Sequence, residues 1–164
     1  MKFHSTHGTS ITLSSSKTVA TREEGVFCNG ITFGDQGVKV NQKICLELSV
    51  SKSWSGALGI GITTNNPSKI KPSDLPRFAF RNLGEKEGYW LKAVSENLLS
   101  EGSKVTVYLS ATGALQLFID DNYIGACVIN IPLDKQLWLV VDVYGNTAVA
   151  KFVKPGKNYP HVFI

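Results

Sequence analysis

A chain of 164 residues, 43% hydrophobic and only 18% charged, has enough apolar material for one packed core, which excludes a disordered polymer. No apolar run approaches the roughly 20 residues of a membrane helix, and the opening MKFHSTHGTS lacks the apolar stretch of a secretory signal, so a soluble domain is expected. The net charge of +4 comes from scattered lysines, with one loose set at Lys151, Lys154 and Lys157, so no nucleic-acid partner is expected.

Taken in chain order, the segments alternate apolar and polar residues with a period close to 2. TVATR (18–22), GITF (30–33), KICLELSV (43–50) and GALGIGIT (56–63) read as strands. KPSDLPRFAF (71–80) carries two prolines and holds no more than a short turn, and SENLLSEG (95–102) holds one helical turn. KVTVYLS (104–110) and ALQLFID (114–120) are strands joined through SATGA, a hairpin signal. DDNYIG (120–125) reads as a second hairpin turn, and YIGACVIN, QLWLVVDVY and AVAKFV complete the series. About ten short strands separated by regular breakers predict an all-β antiparallel sandwich of the jelly-roll kind, filling the chain as one domain.

Chemistry is sparse along this frame. Gly56, Gly59 and Gly61 stand in the order GxxGxG, the reverse of the dinucleotide fingerprint, and no helix follows to receive a phosphate. They are read as small residues that let strands pack closely. His4, His7 and His161 lie near the termini with no nucleophile motif beside them. Cys28, Cys45 and Cys127 form no CxxC pair and read as reduced thiols, so no metal is expected. Asp120 and Asp121 are consecutive and point to opposite faces, so they do not form a glycosidase pair.

Asp142 is a lone acid ending the apolar run of LWLVVDVYGNT (137–147). Apolar residues alternate on both sides of that run, which predicts a central strand covered on both faces. Asp142 is then an anchor that accepts hydrogen bonds from nearby donors, since a buried charge must be paired. Trp138 and Tyr108 are expected in the core, while Trp54 in SKSWSG and Tyr89-Trp90 after GEKEG lie next to turns, where aromatics can anchor a partner.

Several stretches together resemble the Neuralized homology repeat. They are FHSTHGTSITLS, TVATR, FCNGITF, WSGALGIGITTNNP, LPRFAFRNL, GYWLKAV and LWLVVDVYGNT, in the family's order from Phe3 to about Val153. The resemblance implies a SPRY-like β-sandwich that recognises proteins, belonging to ubiquitin ligases in which a separate RING or SOCS-box segment recruits the ubiquitylation machinery. It also implies Notch-ligand-type targets, short Asn-rich peptide motifs in partners, phosphoinositide contact in some members, and a cytoplasmic location peripheral to the plasma membrane. The chain departs from the family pattern at Gly59, where an Arg is usual, at Ile62 and Asn66, and at Phe80-Arg81-Asn82.

The expected activity is therefore non-catalytic binding of a short extended peptide, with no cofactor. The expected peptide-binding residues are Arg22, Asn29, Thr32, Trp54, Arg81, Asn82, Tyr89 and Trp90. Each also has a purely structural reading; Arg22 and Thr32, for example, can pair across strands. Two other classes compete. A jelly-roll lectin would use Trp54, Asn65, Asn66 and Arg81, and a phosphoinositide-binding membrane-surface module would use Lys69, Lys71 and Arg81, or the C-terminal Lys151, Lys154 and Lys157. The oligomeric state is left open.

Overall fold

The computed structural model describes residues 1–156, so Lys157 and His161 lie outside the described residues. The period-2 pattern becomes strands β1 (Ile11–Leu13), β2 (Val19–Arg22), β3 (Ile31–Gly37), β4 (Ile44–Val50), β5 (Leu58–Thr63) and β6 (Tyr89–Val94). They are followed by β7 (Lys104–Leu109), β8 (Leu115–Ile119), β9 (Asn122–Val128), β10 (Trp138–Val143) and β11 (Thr147–Val153). A seven-stranded sheet runs β1-β2-β11-β4-β7-β8-β9 and a four-stranded sheet runs β3-β10-β5-β6. All these strand pairs are antiparallel.

Helix is confined, among the described residues, to 3-10 turns at Pro67–Lys69, Pro72–Asp74 and Glu96–Leu98. Proline at the first position fixes the opening φ of two of them, and the side chains of Asn66 and Ser95 cap the first and last. The two expected hairpins form. Ser110 donates to the Ala114 carbonyl across SATGA, with Gly113 at φ +80°. Asp120 and Asp121 both take positive φ, +49° and +67°, the two-residue geometry whose twist matches the strands it joins. Asp120 Oδ1 then receives the Lys104 N–H at 2.9 Å, fixing the turn to the start of β7.

Leu46 and Leu48 of β4, Leu58, Ile60 and Ile62 of β5, and Leu139, Val141 and Val143 of β10 fill the space between the sheets. Each such side chain contributes about 1.5–3 kcal/mol by leaving water. The other face of the four-stranded sheet is also covered. Ala79 and Leu83, from the segment between β5 and β6, pack with Ile70 and Leu75 over Ile31, Phe33 and Val140. Strand β10 is thus buried along its whole length, with apolar neighbours on both sides. The glycines of β5 serve close approach: a Cβ on Gly61 would lie 2.0 Å from the Trp90 carbonyl oxygen.

Candidate functional site

At one end of the sandwich the β2–β3, β4–β5 and β10–β11 connections meet the segment that leads up to Ala79. The meeting is written in backbone hydrogen bonds. Gly145 donates to the Phe27 carbonyl at 3.0 Å, Asn146 to Gly56 at 2.8 Å, Ser51 to Asn146 at 2.8 Å, and Asn29 to Arg77 at 2.9 Å. Gly145 sits at φ +58°, and a Cβ there would come within 2.3 Å of the Gly56 carbonyl oxygen, so the crossing requires glycine. The Asn146 side chain binds outward, accepting the Trp54 N–H at 2.7 Å and donating to Glu96 at 3.1 Å.

Arg22, at the end of β2, lies beneath this crossing and is only 7% exposed. Its guanidinium donates to the carbonyls of Val26, Val143, Gly145 and Thr147, joining two of the connections through one planar fork. Burial lowers its pKa, and the nearby Asp142 opposes that shift.

Asp142 is the second buried anchor. Its Oδ2 accepts the Ala79 N–H at 2.8 Å, which ties the segment carrying Arg77 and Phe78 to the central strand. Oδ1 has no partner among the described residues. Burial therefore raises the carboxyl to about 7, with the Ala79 N–H and Arg22 pulling the other way. Asp142 also adds to the raised pKa of Tyr144, which is due first to burial.

On this scaffold the loops present four aromatic rings around an open recess of about 370 Å³. Phe27 and Trp54 lie 5.1 Å apart, Phe27 and Phe78 6.0 Å, and Phe78 meets Tyr144 edge-on at 5.7 Å. The Arg77 guanidinium covers Phe27 and Phe78 at 5.7 and 5.9 Å and donates to the Cys28 sulfur at 3.4 Å. Trp54 remains 41% exposed, a large apolar surface left open to water. A recess of this shape accepts an apolar or aromatic side chain and gives it ring faces and edges to pack on.

Of the expected site residues, Trp54 stands in this recess. Asn29 does not line it; held at φ +60°, it donates its side-chain amide to the Cys28 sulfur and its N–H to the Arg77 carbonyl. Arg22 lies below the recess. Thr32 is fully buried in β3, its hydroxyl donating across to the Val141 carbonyl at 2.7 Å. Arg81, at φ +73°, and Asn82 are exposed in the turn after Phe80. Tyr89 and Trp90 begin β6, paired with Thr63 and Ile62, and pack on opposite faces of the sheet.

Phe27, Phe78 and Tyr144 did not stand out in the sequence. Each adjoins a turn or proline, as Trp54 does, but only strand pairing brings their connections to one end. Asn65 and Asn66 are spent on local structure: Asn65 donates to Thr63 Oγ1 and the Glu87 carbonyl, and Asn66 accepts the Ser68 N–H. Among the described residues no group of three His, Cys, Asp or Glu side chains could hold a metal ion, and no helix is long and apolar enough to cross a membrane.

Two antiparallel sheets stacked with their loops gathered at one end make this a SPRY-like β-sandwich. The SPRY domains of human HERC1 and of TRIM65 (its PSpry domain) superpose with TM-scores of 0.60 and 0.62 over 95% and 94% of this chain, at 11% and 13% identity, a likeness of fold alone. The model of the Neuralized family matches residues 3–154, and the chain belongs to that family. The crystal structure of the Drosophila melanogaster neuralized-nhr1 domain superposes with a TM-score of 0.89 at 32% identity, covering 94% of this chain and 98% of that one. Protein neuralized of Drosophila melanogaster is 32% identical over 93% of this chain, and the human E3 ubiquitin-protein ligase NEURL1B is 31% identical over 89%. The chain spans 20% and 26% of the lengths of those two relatives.

Proposed function

We propose that this chain, a single domain over residues 1–164 with its core at about 3–153, is the substrate-selecting module of a Neuralized-type ubiquitin ligase. It binds a short extended segment of a partner protein and performs no chemistry itself; transfer of ubiquitin requires a RING or SOCS-box segment in the same protein or assembly. The observation that carries this reading is the open recess ringed by Phe27, Trp54, Phe78 and Tyr144. An apolar anchor of the partner fills it, and neighbouring loop backbone pairs with the extended segment on either side. Arg22, Asn29 and Asp142 keep the rings in place, while Arg81 and Asn82, exposed just beyond, contact the flanks of the segment. Thr32, Tyr89 and Trp90 act through the sheet beneath.

Family membership supports a protein partner, and Notch-ligand-type intracellular segments with short Asn-rich motifs are the first candidates. A phosphoinositide reading draws on exposed Lys69, Lys71 and Arg81, yet Asp74, Glu85 and Glu87 are exposed on the same segment, so its field is mixed. The peptide reading is tested by selecting a displayed peptide library on the chain and measuring the winners by calorimetry, with Trp54→Ala as the contrast. Enriched peptides with an apolar anchor, weakened by that change, support it. Peptides that bind both forms equally, or binding to phosphoinositide vesicles without any peptide, would overturn it.

A further inference from the structure

Trp54 lines a second recess besides the aromatic one, about 540 Å³ in volume, whose other walls include Glu23, Glu24, Gly25, Ser51 and Ser53. Resting on the peptide-binding reading above, we infer that this recess receives a lysine or arginine side chain of the partner segment, next to the apolar anchor held on the far side of Trp54. The bound motif is then a basic residue beside an apolar one, read from the two sides of a single indole.

The acidic wall is a built turn. Glu23 donates its N–H to the Ser10 carbonyl at 2.7 Å, Val26 donates back to Glu23 at 3.2 Å, and Gly25 closes the turn at φ +82°. The Arg22 Nε bond to the Val26 carbonyl fixes the turn from below. Both carboxylates are exposed, and among the described residues neither has a hydrogen-bond or ion-pair partner. On a chain of net charge +4, two unpaired acids side by side at an exposed tryptophan make a local field opposite to that of the whole.

Two positive groups lie close and must be weighed. Arg22 lines the recess, but its guanidinium is buried and aimed into four carbonyl dipoles, with Asp142 beyond. Lys52 is exposed on the β4–β5 loop outside the lining, free to swing into water. The carboxylates thus face the opening while the nearest fixed cation faces inward. A cationic side chain entering here lays its aliphatic stem and charged head on the Trp54 ring and meets a carboxylate at the turn. A neutral or acidic side chain gains only the ring contact or is repelled.

The test is a displayed random-peptide selection on the intact chain, repeated on Glu23→Lys/Glu24→Lys and on Trp54→Ala, with folding of each variant checked by thermal melting. The wild type should enrich lysine or arginine within a few positions of an apolar anchor. The double charge reversal should keep the anchor and exchange the basic preference for an acidic one. For one enriched peptide, Glu23→Gln/Glu24→Gln should weaken binding about three- to tenfold, and the loss should shrink as salt is raised. An anchor enriched with no basic preference, or affinity unchanged in the Gln pair, overturns the inference and leaves the aromatic site standing. Failure to enrich any peptide, or winners indifferent to Trp54→Ala, overturns both.

Discussion

Two regions of this sandwich leave apolar side chains in water, and they do so in different ways. At the loop end Trp54 is 41% exposed within rings that are braced by Arg22, Asn146 and Asp142. On the flank between β6 and β9, Leu98 and Ile124 are each 42% exposed around a shallow hollow of about 170 Å³ that also involves Lys92 and Cys127. The flank is where the last strands of the two sheets run past each other. Ile124 stands on the edge strand β9 and Leu98 on the 3-10 turn after β6, and Gly125, at φ +139° with nothing within 4 Å, leaves β9 without a side chain there. Burial pushes the Cys127 thiol up to about 11, so it is inert at neutral pH. Apolar exposure alone is thus a poor marker of a site; what separates the two regions is the polar bracing that holds the rings of one of them in fixed relation.

If bracing makes the difference, removing it should have the largest effect. Arg22→Met deletes the donor to four carbonyls under the loop crossing, and a loss of about 3–5 kcal/mol in urea unfolding is expected, with peptide binding lost as the loops separate. A variant as stable as the wild type would show that the crossing holds itself. Trp54→Ala should do the reverse. Its stability change should stay below about 1 kcal/mol, because the ring is exposed and at a loop tip, while affinity for a selected peptide falls by about 2–3 kcal/mol. Equal losses of stability and affinity would make Trp54 a structural cover.

These two residues also mark how far the sequence could be read. The sandwich was legible because nearly every strand carries its own period-2 signal, and the hairpins at SATGA and at Asp120-Asp121 carry their own turn chemistry. The double burial of β10 and the anchoring part played by Asp142 followed from its unbroken apolar run. The composition of the recess did not. Phe27 precedes Cys28 by one residue and Tyr144 follows Val143, so each passes for the end of a strand pattern. Phe78 lies in a proline-broken stretch, and its segment is held by contacts distant in sequence, the Ala79 bond to Asp142 across 63 residues and the Asn29 N–H bond to the Arg77 carbonyl. Tyr89-Trp90 looked like a turn-side pair but begin a strand, because their pairing with Thr63 and Ile62 extends β6 up to the Gly88 turn. Convergence of loops is a property of sheet order, and sheet order is carried by contacts distant in sequence.

Asp142 offers a smaller lever on the same bracing, controlled by pH. In the fold burial raises its carboxyl to about 7, above its ordinary value of 3.8, so between those pH values the folded chain retains a proton that the unfolded chain has released. The stability tied to this group is fully present below the ordinary carboxylate range and is lost as pH rises through about 7. Asp142→Asn keeps an acceptor for the Ala79 N–H but cannot ionise. Measured by urea unfolding, its stability relative to the wild type should rise between pH 5 and pH 8 by on the order of 1–3 kcal/mol, then level off. A constant difference across that range would mean that Oδ1 is solvated well enough to ionise normally.

The weakest expected effect lies on the flank, and it is the sharpest test of the contrast between the two regions. Leu98→Ser and Ile124→Ser each remove a side chain that is 42% exposed, so stability should change by less than about 0.5–1 kcal/mol. Binding of a peptide selected at the loop end should stay within about twofold of the wild type, since neither residue touches the rings or the Arg22 fork. If either change weakened that peptide as strongly as Trp54→Ala, the peptide would have to run along the β6–β9 edges as an added strand, a geometry that exposed edge backbone permits. Hydrogen exchange separates the cases at residue level. Protection on binding at residues 23–30 and 51–57 belongs to the loop end, and protection in β9 belongs to the flank.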